Sequence, residues 1–346
     1  MRAYRRRTAA DYRYHGGLSP ARAKIPVLAV CPPELPAVGL LTRLRGQAAL
    51  TISVERAAIA RAAPSAEVIL YSALAGGTPG FAEIWPLTGS GLRWVHSFET
   101  GVDRLLIPEL TASPVLVSNA RGVYTAALVE FALFGMFWFY KQGRRLLASQ
   151  REHRWDQHEV EALAGKVMGV VGYGAVGRAC AQAAHRLGMR IHALRRQPVP
   201  PERGVERVFT AAELPAMLAG VDVLLAAAPL TAATRHLLGT TEFAAMMPTA
   251  LVINLGRGPV IDEAALIAAL RDGQIAGAAL DVFEREPLAP DHPFWEMENV
   301  LISPHCTDRT RTPHWTELGM RCFLENFRRY RAGRPLLTPV DKGAGY

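Results

Sequence analysis

Short apolar runs separated by polar, helix-forming stretches recur along most of the chain. From Ile25 the runs IPVLAVCP, AEVILYS and LRWVHSFETGVD, with a helical stretch near residues 55–63, make a β-α-β rhythm that predicts a parallel sheet. A smaller α/β domain is expected over residues 25–119, with residues 306–346 reading as a closing helix and tail. The next segment, YTAALVEFALFGMFWFYKQGRRLLASQ, lacks Pro and has only Gly135 and Gly143 to weaken a helix. It predicts one linking helix over 124–147, of about 24 residues and about 36 Å. Its middle is apolar all round, so burial on every side is expected, partly against a second subunit. After Trp155 a second rhythm runs through KVMGVVGYGAVG, RIHALRR, VDVLLAAAPL, ALVINLGRG, IAGAALDVF and NVLISPH. Runs apolar throughout are those of strands buried on both faces, and the Gly in RDGQ (Arg271–Gln274) sits where a helix should end. A dinucleotide-binding domain is expected over residues 120–305.

Composition narrows the class. The 346 residues suit two domains, and with half of them hydrophobic and a fifth charged the balance is that of a soluble globular protein. The net charge of +8 is concentrated in a leader, residues 1–24, where Arg2, Arg5, Arg6, Arg7, Arg13, Arg22 and Lys24 face a single acid, Asp11. No basic stripe interleaved with aromatics runs through the body, so no nucleic-acid partner is expected. The leader reads as a flexible tail, with an Arg-rich organelle-targeting peptide as the alternative; it lacks the apolar stretch of a secretory signal. The apolar run Leu128–Tyr140 is too short to span a membrane and carries Glu130. The four cysteines are far apart with no C-x-x-C, which supports neither a metal site nor a disulfide framework and suits the cytoplasm.

The chemistry begins at VMGVVGYGAVG, a strand running into Gly172-x-Gly174-x-x-Gly177 and then a helix. Gly172 permits the tight turn, Gly174 lets backbone approach a pyrophosphate, and Gly177 lets helix and strand pack closely. The helix N-terminus offers N–H groups to the phosphates. The following strand ends in Arg195 and Arg196, where an acid would be expected for the ribose 2′-hydroxyl of NAD. Two guanidiniums suit the 2′-phosphate of NADP instead, with NAD the alternative.

Three later segments place Arg257, Glu286 and His305 near the C-terminal ends of expected strands, where open α/β sheets bind ligands. Arg257 can hold and polarise a 2-keto acid, His305 can donate the proton as hydride reaches the carbonyl carbon, and Glu286 can hydrogen-bond the imidazole and fix its orientation.

With INLGRGPVIDEAAL, GAALDVFEREPL and NVLISPH, together with PLTAATRHLLG, the sequence resembles the D-isomer-specific 2-hydroxyacid dehydrogenase family, from Ile25 to about Pro335. The resemblance implies two Rossmann-like α/β domains. The cofactor domain, a doubly wound parallel sheet, is inserted into a flavodoxin-like substrate domain, with the active site in the cleft between them. It implies a homodimer held partly by the linking helix, and a catalytic set of Arg257, Glu286 and His305. It assigns cofactor contacts to Ala175, Val176, Pro229, Thr234, Leu255, Gly256 and Asp281, the last at the nicotinamide carboxamide. The substrate carboxylate falls to backbone N–H groups of Thr100, Gly101 and Val102, in ETGVD. The implied reaction is reduction of a small 2-keto acid of the glyoxylate or hydroxypyruvate type to the D-2-hydroxy acid. A catalytically weak, NAD(P)-sensing interaction protein of the same fold is the alternative, and the presence of Arg257, Glu286 and His305 argues against it.

Some positions depart from the family pattern. Glu99 stands where a small neutral residue is common, and its carboxylate would repel an anionic substrate unless turned away or paired, Arg121 being one candidate partner. Tyr124 and Val129 are unusual at the helix start, and CTDRTRTPHW replaces a small-residue turn after His305. His96, on an apolar strand, reads as a hydrogen-bonded core histidine. His305 and Cys306 would point to opposite faces of an extended strand and so share neither metal nor proton.

Overall fold

The computed structural model describes residues 23–72, 77–197, 199–312 and 314–346; most of the basic leader lies outside them. The chain forms two compact units, one ending at Val123 and resuming with Arg311–Tyr346, the other comprising Tyr124–Thr310.

The first unit holds strands β1 (Ile25–Val30), β2 (Ala48–Ile52), β3 (Val68–Tyr71), β4 (Trp94–Ser97) and β5 (Leu116–Ser118). All pair in parallel in the order β2-β1-β3-β4-β5, which is the flavodoxin-like doubly wound order. The closing helix Trp315–Arg331 buries Met320, Phe323, Phe327 and Tyr330 in the same core cluster as Val27, Leu70 and Trp94. The tail is fastened by Lys342, whose ammonium donates to the carbonyls of Leu110, Ser113 and Val115.

The second unit holds β6 (Val167–Val171), β7 (Arg190–Leu194), β8 (Arg207–Phe209), β9 (Val223–Ala226), β10 (Leu251–Asn254), β11 (Gly277–Leu280) and β12 (Val300–Ile302). Their order is β12-β11-β10-β9-β6-β7-β8, a Rossmann sheet that reverses direction between β6 and β9. β6, β9, β10 and β11 are buried at every position, as their uninterrupted apolar runs require.

The compact units part slightly outside the expected boundaries of 119/120 and 305/306. Asn119 and Ala120 are tied back by N–H bonds to the carbonyls of Thr338 and Glu99. At the other crossing, the N–H groups of Cys306 and Thr307 donate to Asp281. Each junction therefore sits a few residues further along the chain.

The expected single helix over 124–147 is two helices, Thr125–Tyr140 and Gly143–Arg151. Gln142 between them adopts a left-handed conformation, φ 51°, and a Cβ on Gly143 would lie 2.4 Å from the Trp138 ring. Lys141 Nζ and Gln142 Nε2 also donate to the Glu161 and Glu159 carbonyls at 2.6 and 2.8 Å, so tertiary contacts with the chain beyond the second helix, rather than local propensity, hold the break. The first helix buries Ala132, Gly135 and Met136, with Gly135 so close to the sheet that a Cβ would meet that of Ala279 at 2.9 Å. Phe134 and Phe137 on this helix remain 49% and 39% exposed, so its apolar surface is not buried all round within the chain. Among the described residues no helix is long and apolar enough to cross a membrane.

Candidate active site

The dinucleotide turn closes β6 at the sheet's switch point. Gly172 has φ 95°, and a Cβ there would lie 2.3 Å from the Ala228 backbone nitrogen. On Gly177 it would lie 2.3 Å from the Gly172 carbonyl oxygen. On Gly174 it would meet nothing within 4 Å. Two glycines are thus required by packing, and the third leaves open space at the start of the helix Ala175–Arg186, where Ala175 and Val176 form the first turn. The first N–H groups of a helix have no intrahelical partner, so this turn fits a pyrophosphate. Across the switch point, Thr234 closes the loop after β9 by donating to the Pro229 carbonyl (2.6 Å) and accepting from the Thr231 N–H (2.8 Å). Leu255 and Gly256 follow β10, and a Cβ on Gly256 would come within 2.6 Å of the Ala228 carbonyl oxygen. These residues fit a nicotinamide dinucleotide laid along the strand ends.

Arg257, Glu286 and His305 follow three adjacent strands, β10, β11 and β12. The Glu286 and His305 side chains meet, with His305 Nδ1 2.7 Å from Glu286 Oε2. Glu286 Oε1 accepts from the Phe283 N–H at 3.1 Å, which fixes the carboxylate. The Arg257 carbonyl accepts from the Asn254 amide at 3.2 Å, and Arg257 Nη1 donates to the Gly256 carbonyl. Gly258 presses on the Glu286 loop so closely that a Cβ would overlap the Phe283 carbonyl carbon at 1.9 Å.

His305 is not on an extended strand. β12 stops at Ile302 and His305 takes φ 49°, a left-handed conformation uncommon for a side chain with a Cβ. Buried Asp281 holds this turn: its Oδ1 accepts from Ser303 Oγ (2.5 Å), the Cys306 N–H (3.1 Å) and the Thr307 N–H (3.3 Å). Cys306 is separated from the imidazole's partner by this turn, not by strand alternation, and its thiol lies 3.6 Å from Ser303 Oγ. Burial raises the carboxyl pKa of Asp308, in the same segment, and the Asp281 charge adds to the rise. The anchoring roles of Asp281 and Ser303 escaped the sequence reading, although both lie inside the motifs it used.

At the end of β7, Arg195 Nη1 donates to Glu202 Oε1 at 3.0 Å, and Arg178 grips the same carboxylate through Nε and Nη2 (2.9 and 2.8 Å). Both guanidiniums lie 5.5 Å from the centre of the Tyr173 ring, the residue between the first two turn glycines. Neither Glu202 nor Arg178 was singled out from sequence; an acid a few residues past the strand was the available signal.

Thr100, Gly101 and Val102 belong to the first unit. Their loop is held by Asn119, whose amide donates to the Thr100 carbonyl at 2.6 Å, and by Thr100 Oγ1 donating to the Ala120 carbonyl. Glu99 is 8% exposed and accepts from Ser72 Oγ (2.8 Å) and Ser97 Oγ (3.3 Å). Arg121 Nη2 donates to the Pro339 carbonyl at 3.4 Å.

A dinucleotide turn at a switch point, with an imidazole–carboxylate pair and an arginine on neighbouring strand ends, defines a nicotinamide-dependent oxidoreductase. Residues 133–307 match the family model for the NAD binding domain of D-isomer specific 2-hydroxyacid dehydrogenases, and the chain belongs to that family. It is 35% identical over 245 residues to the glyoxylate/hydroxypyruvate reductase B of Salmonella schwarzengrund, covering 68% of this chain and 74% of the relative. Against the glyoxylate reductase of Korarchaeum cryptofilum it is 37% identical over 226 residues, 62% of this chain and 66% of the relative. A crystal structure of a D-isomer specific 2-hydroxyacid dehydrogenase from Xanthobacter autotrophicus, in complex with NADPH and MES, superposes with a TM-score of 0.79 at 30% identity, covering 94% of this chain and all of that one. An NADPH-dependent glyoxylate/hydroxypyruvate reductase from Sinorhizobium meliloti, in complex with NADP and sulfate, superposes at 0.80 with 26% identity, covering 93% of this chain and all of that one.

Proposed function

We propose that the protein reduces a small 2-keto acid of the glyoxylate or hydroxypyruvate type to the D-2-hydroxy acid, with NADPH preferred. The observation that carries this reading is the 2.7 Å contact of His305 Nδ1 with Glu286 Oε2. An ionised carboxylate only accepts, so Nδ1 donates to it and Nε2 is the nitrogen that gives the substrate its proton. The bound nicotinamide supplies hydride. Arg257 holds the keto-acid carboxylate and polarises the carbonyl, and the N–H groups of Thr100, Gly101 and Val102 are further carboxylate donors. Asp281 meets the carboxamide while its Oδ1 braces the His305 turn. Relatives named as glyoxylate and hydroxypyruvate reductases support the substrate class. Arg195 and Arg196 at the end of β7, with NADPH and NADP in two neighbours, support the cofactor. The working form is a homodimer joined through the helix Thr125–Tyr140, in the cytoplasm.

A keto-acid panel assayed with NADPH and NADH side by side tests the reading; a clear preference for NADH, or no turnover of any 2-keto acid, would sink it. His305→Ala is expected to lower kcat by about 10²- to 10⁴-fold, the usual contribution of a general acid, while NADPH still binds by fluorescence titration. A near-normal rate would remove His305 from its role.

A further inference from the structure

The geometry points to Glu202 as an intramolecular counter-ion that occupies the cofactor's 2′-phosphate subsite, and to Arg178 as a member of that subsite alongside Arg195 and Arg196. This rests on the NADP reading above. Three observations carry it. Arg178, on the helix that opens the dinucleotide turn, and Arg195, at the end of the next strand, converge on one carboxylate with three bonds of 2.8–3.0 Å. Tyr173 supplies a shared platform 5.5 Å from both guanidiniums. The carboxylate reaches them from the loop after β7, and its side chain is 40% exposed, so it can leave toward solvent.

Two guanidiniums bridged by one carboxylate make a receptor for a tetrahedral dianion that holds a smaller, singly charged anion. A phosphate monoester brings more charge and three acceptor oxygens, and each guanidinium can bind it in bidentate fashion. It therefore exchanges with Glu202, whereas the neutral 2′-hydroxyl of NADH cannot. Glu202 keeps the two cations in place before the cofactor arrives and weakens NADPH binding by competing for them. No bond is made or broken in the exchange; only the ion pairing changes.

The test uses the full chain and two probes that need no catalysis, adenosine 2′,5′-bisphosphate and adenosine 5′-diphosphate, with affinities from isothermal titration calorimetry. In the wild type the bisphosphate should bind more tightly. Glu202→Gln should raise the ratio of bisphosphate to diphosphate affinity roughly five- to tenfold, the scale of releasing two half-exposed ion pairs. Arg178→Gln should lower that ratio by a similar factor, with thermal melts showing that both variants fold. If the wild type does not favour the bisphosphate, the NADP reading falls and this inference falls with it. If the wild type favours it but Glu202→Gln leaves the ratio unchanged or lowers it, the counter-ion role alone is overturned. An unchanged ratio in Arg178→Gln removes Arg178 from the subsite.

Discussion

His96 lies fully buried on β4, with Nδ1 2.7 Å from Ser118 Oγ and no hydrogen-bond partner for Nε2 among the described residues. Its ring packs against Trp94 and Phe323, and burial pushes its pKa down to about 3. The depressed value fixes the sign of its effect. The unfolded chain takes up a proton near pH 6.5 and the folded one does not, so stability falls as pH drops below that value and goes on falling until about pH 3. At pH 5 the difference amounts to about 2 kcal/mol. Urea unfolding at pH 7 and pH 5 should show a wild-type loss of that size in excess of the loss in His96→Gln; equal losses would mean that the ring finds a partner when protonated. His305 differs from His96 in its hydrogen bonding. Only 23% of its side chain is exposed, yet it keeps a carboxylate partner and sits on left-handed backbone held by Asp281. A core role for His96 was legible from its apolar strand, and the pairing of His305 with Glu286 from their motifs. The backbone of His305 was not, because three donors converging on Asp281 impose it from the neighbouring strand.

At the scale of elements, the loop that carries Glu286 is clasped from both sides. The Glu263 N–H donates to Glu284 Oε1 (3.3 Å) and the Glu284 N–H donates back to Glu263 Oε2 (3.1 Å). His292 pairs with Glu263 at 2.9 Å and His236 with Glu284 at 2.8 Å. The helix Glu263–Arg271, the loop after β11 and the loop before His236 are thereby locked around the Gly258 contact. Glu284 is expected to act as a positioning residue, because it holds the loop from which Glu286 reaches His305. Glu284→Ala should lower kcat by about ten- to a hundredfold, the scale of a misplacement near 1 Å, with little change in the Kd for NADPH. Glu284→Gln should recover most of the rate, because its amide oxygen can still accept from the Glu263 N–H. Equal loss in both variants, or parallel loss of NADPH affinity, would point to a collapsed domain instead. The clasp was hidden in the sequence because its acids lie in motifs already explained by Arg257 and Glu286. Its partner histidines become neighbours only once three strands align.

For the whole molecule, the two parallel sheets and the glycine turn were legible because buried parallel strands leave uninterrupted apolar runs and a dinucleotide turn restricts which residues fit. The break at Gln142 and the path of Glu202 were not, since tertiary contacts hold one and a loop folding back sets the other. The exposed apolar surface of the linking segment carries the last prediction. Phe134 and Phe137 on the helix Thr125–Tyr140, and Leu146 and Leu147 on the helix after it, are 49%, 39%, 49% and 45% exposed. Large apolar side chains this exposed on two successive helices are a surface that a partner would cover, and a helix with no polar face needs cover on each side. A second copy of the chain is expected to supply that cover, with the self-complementary patch that a two-fold interface requires. Sedimentation velocity should then show a dimer for the wild type at micromolar concentration and a monomer for the Phe134→Asp, Phe137→Asp double variant, with far-UV circular dichroism unchanged. The two substitutions replace half-exposed side chains of a single chain, so they should cost little in the fold of one protomer and break the dimer by placing like charges opposite one another across the two-fold. A wild-type monomer at that concentration, or a double variant that still dimerises, would rule out this face as the interface.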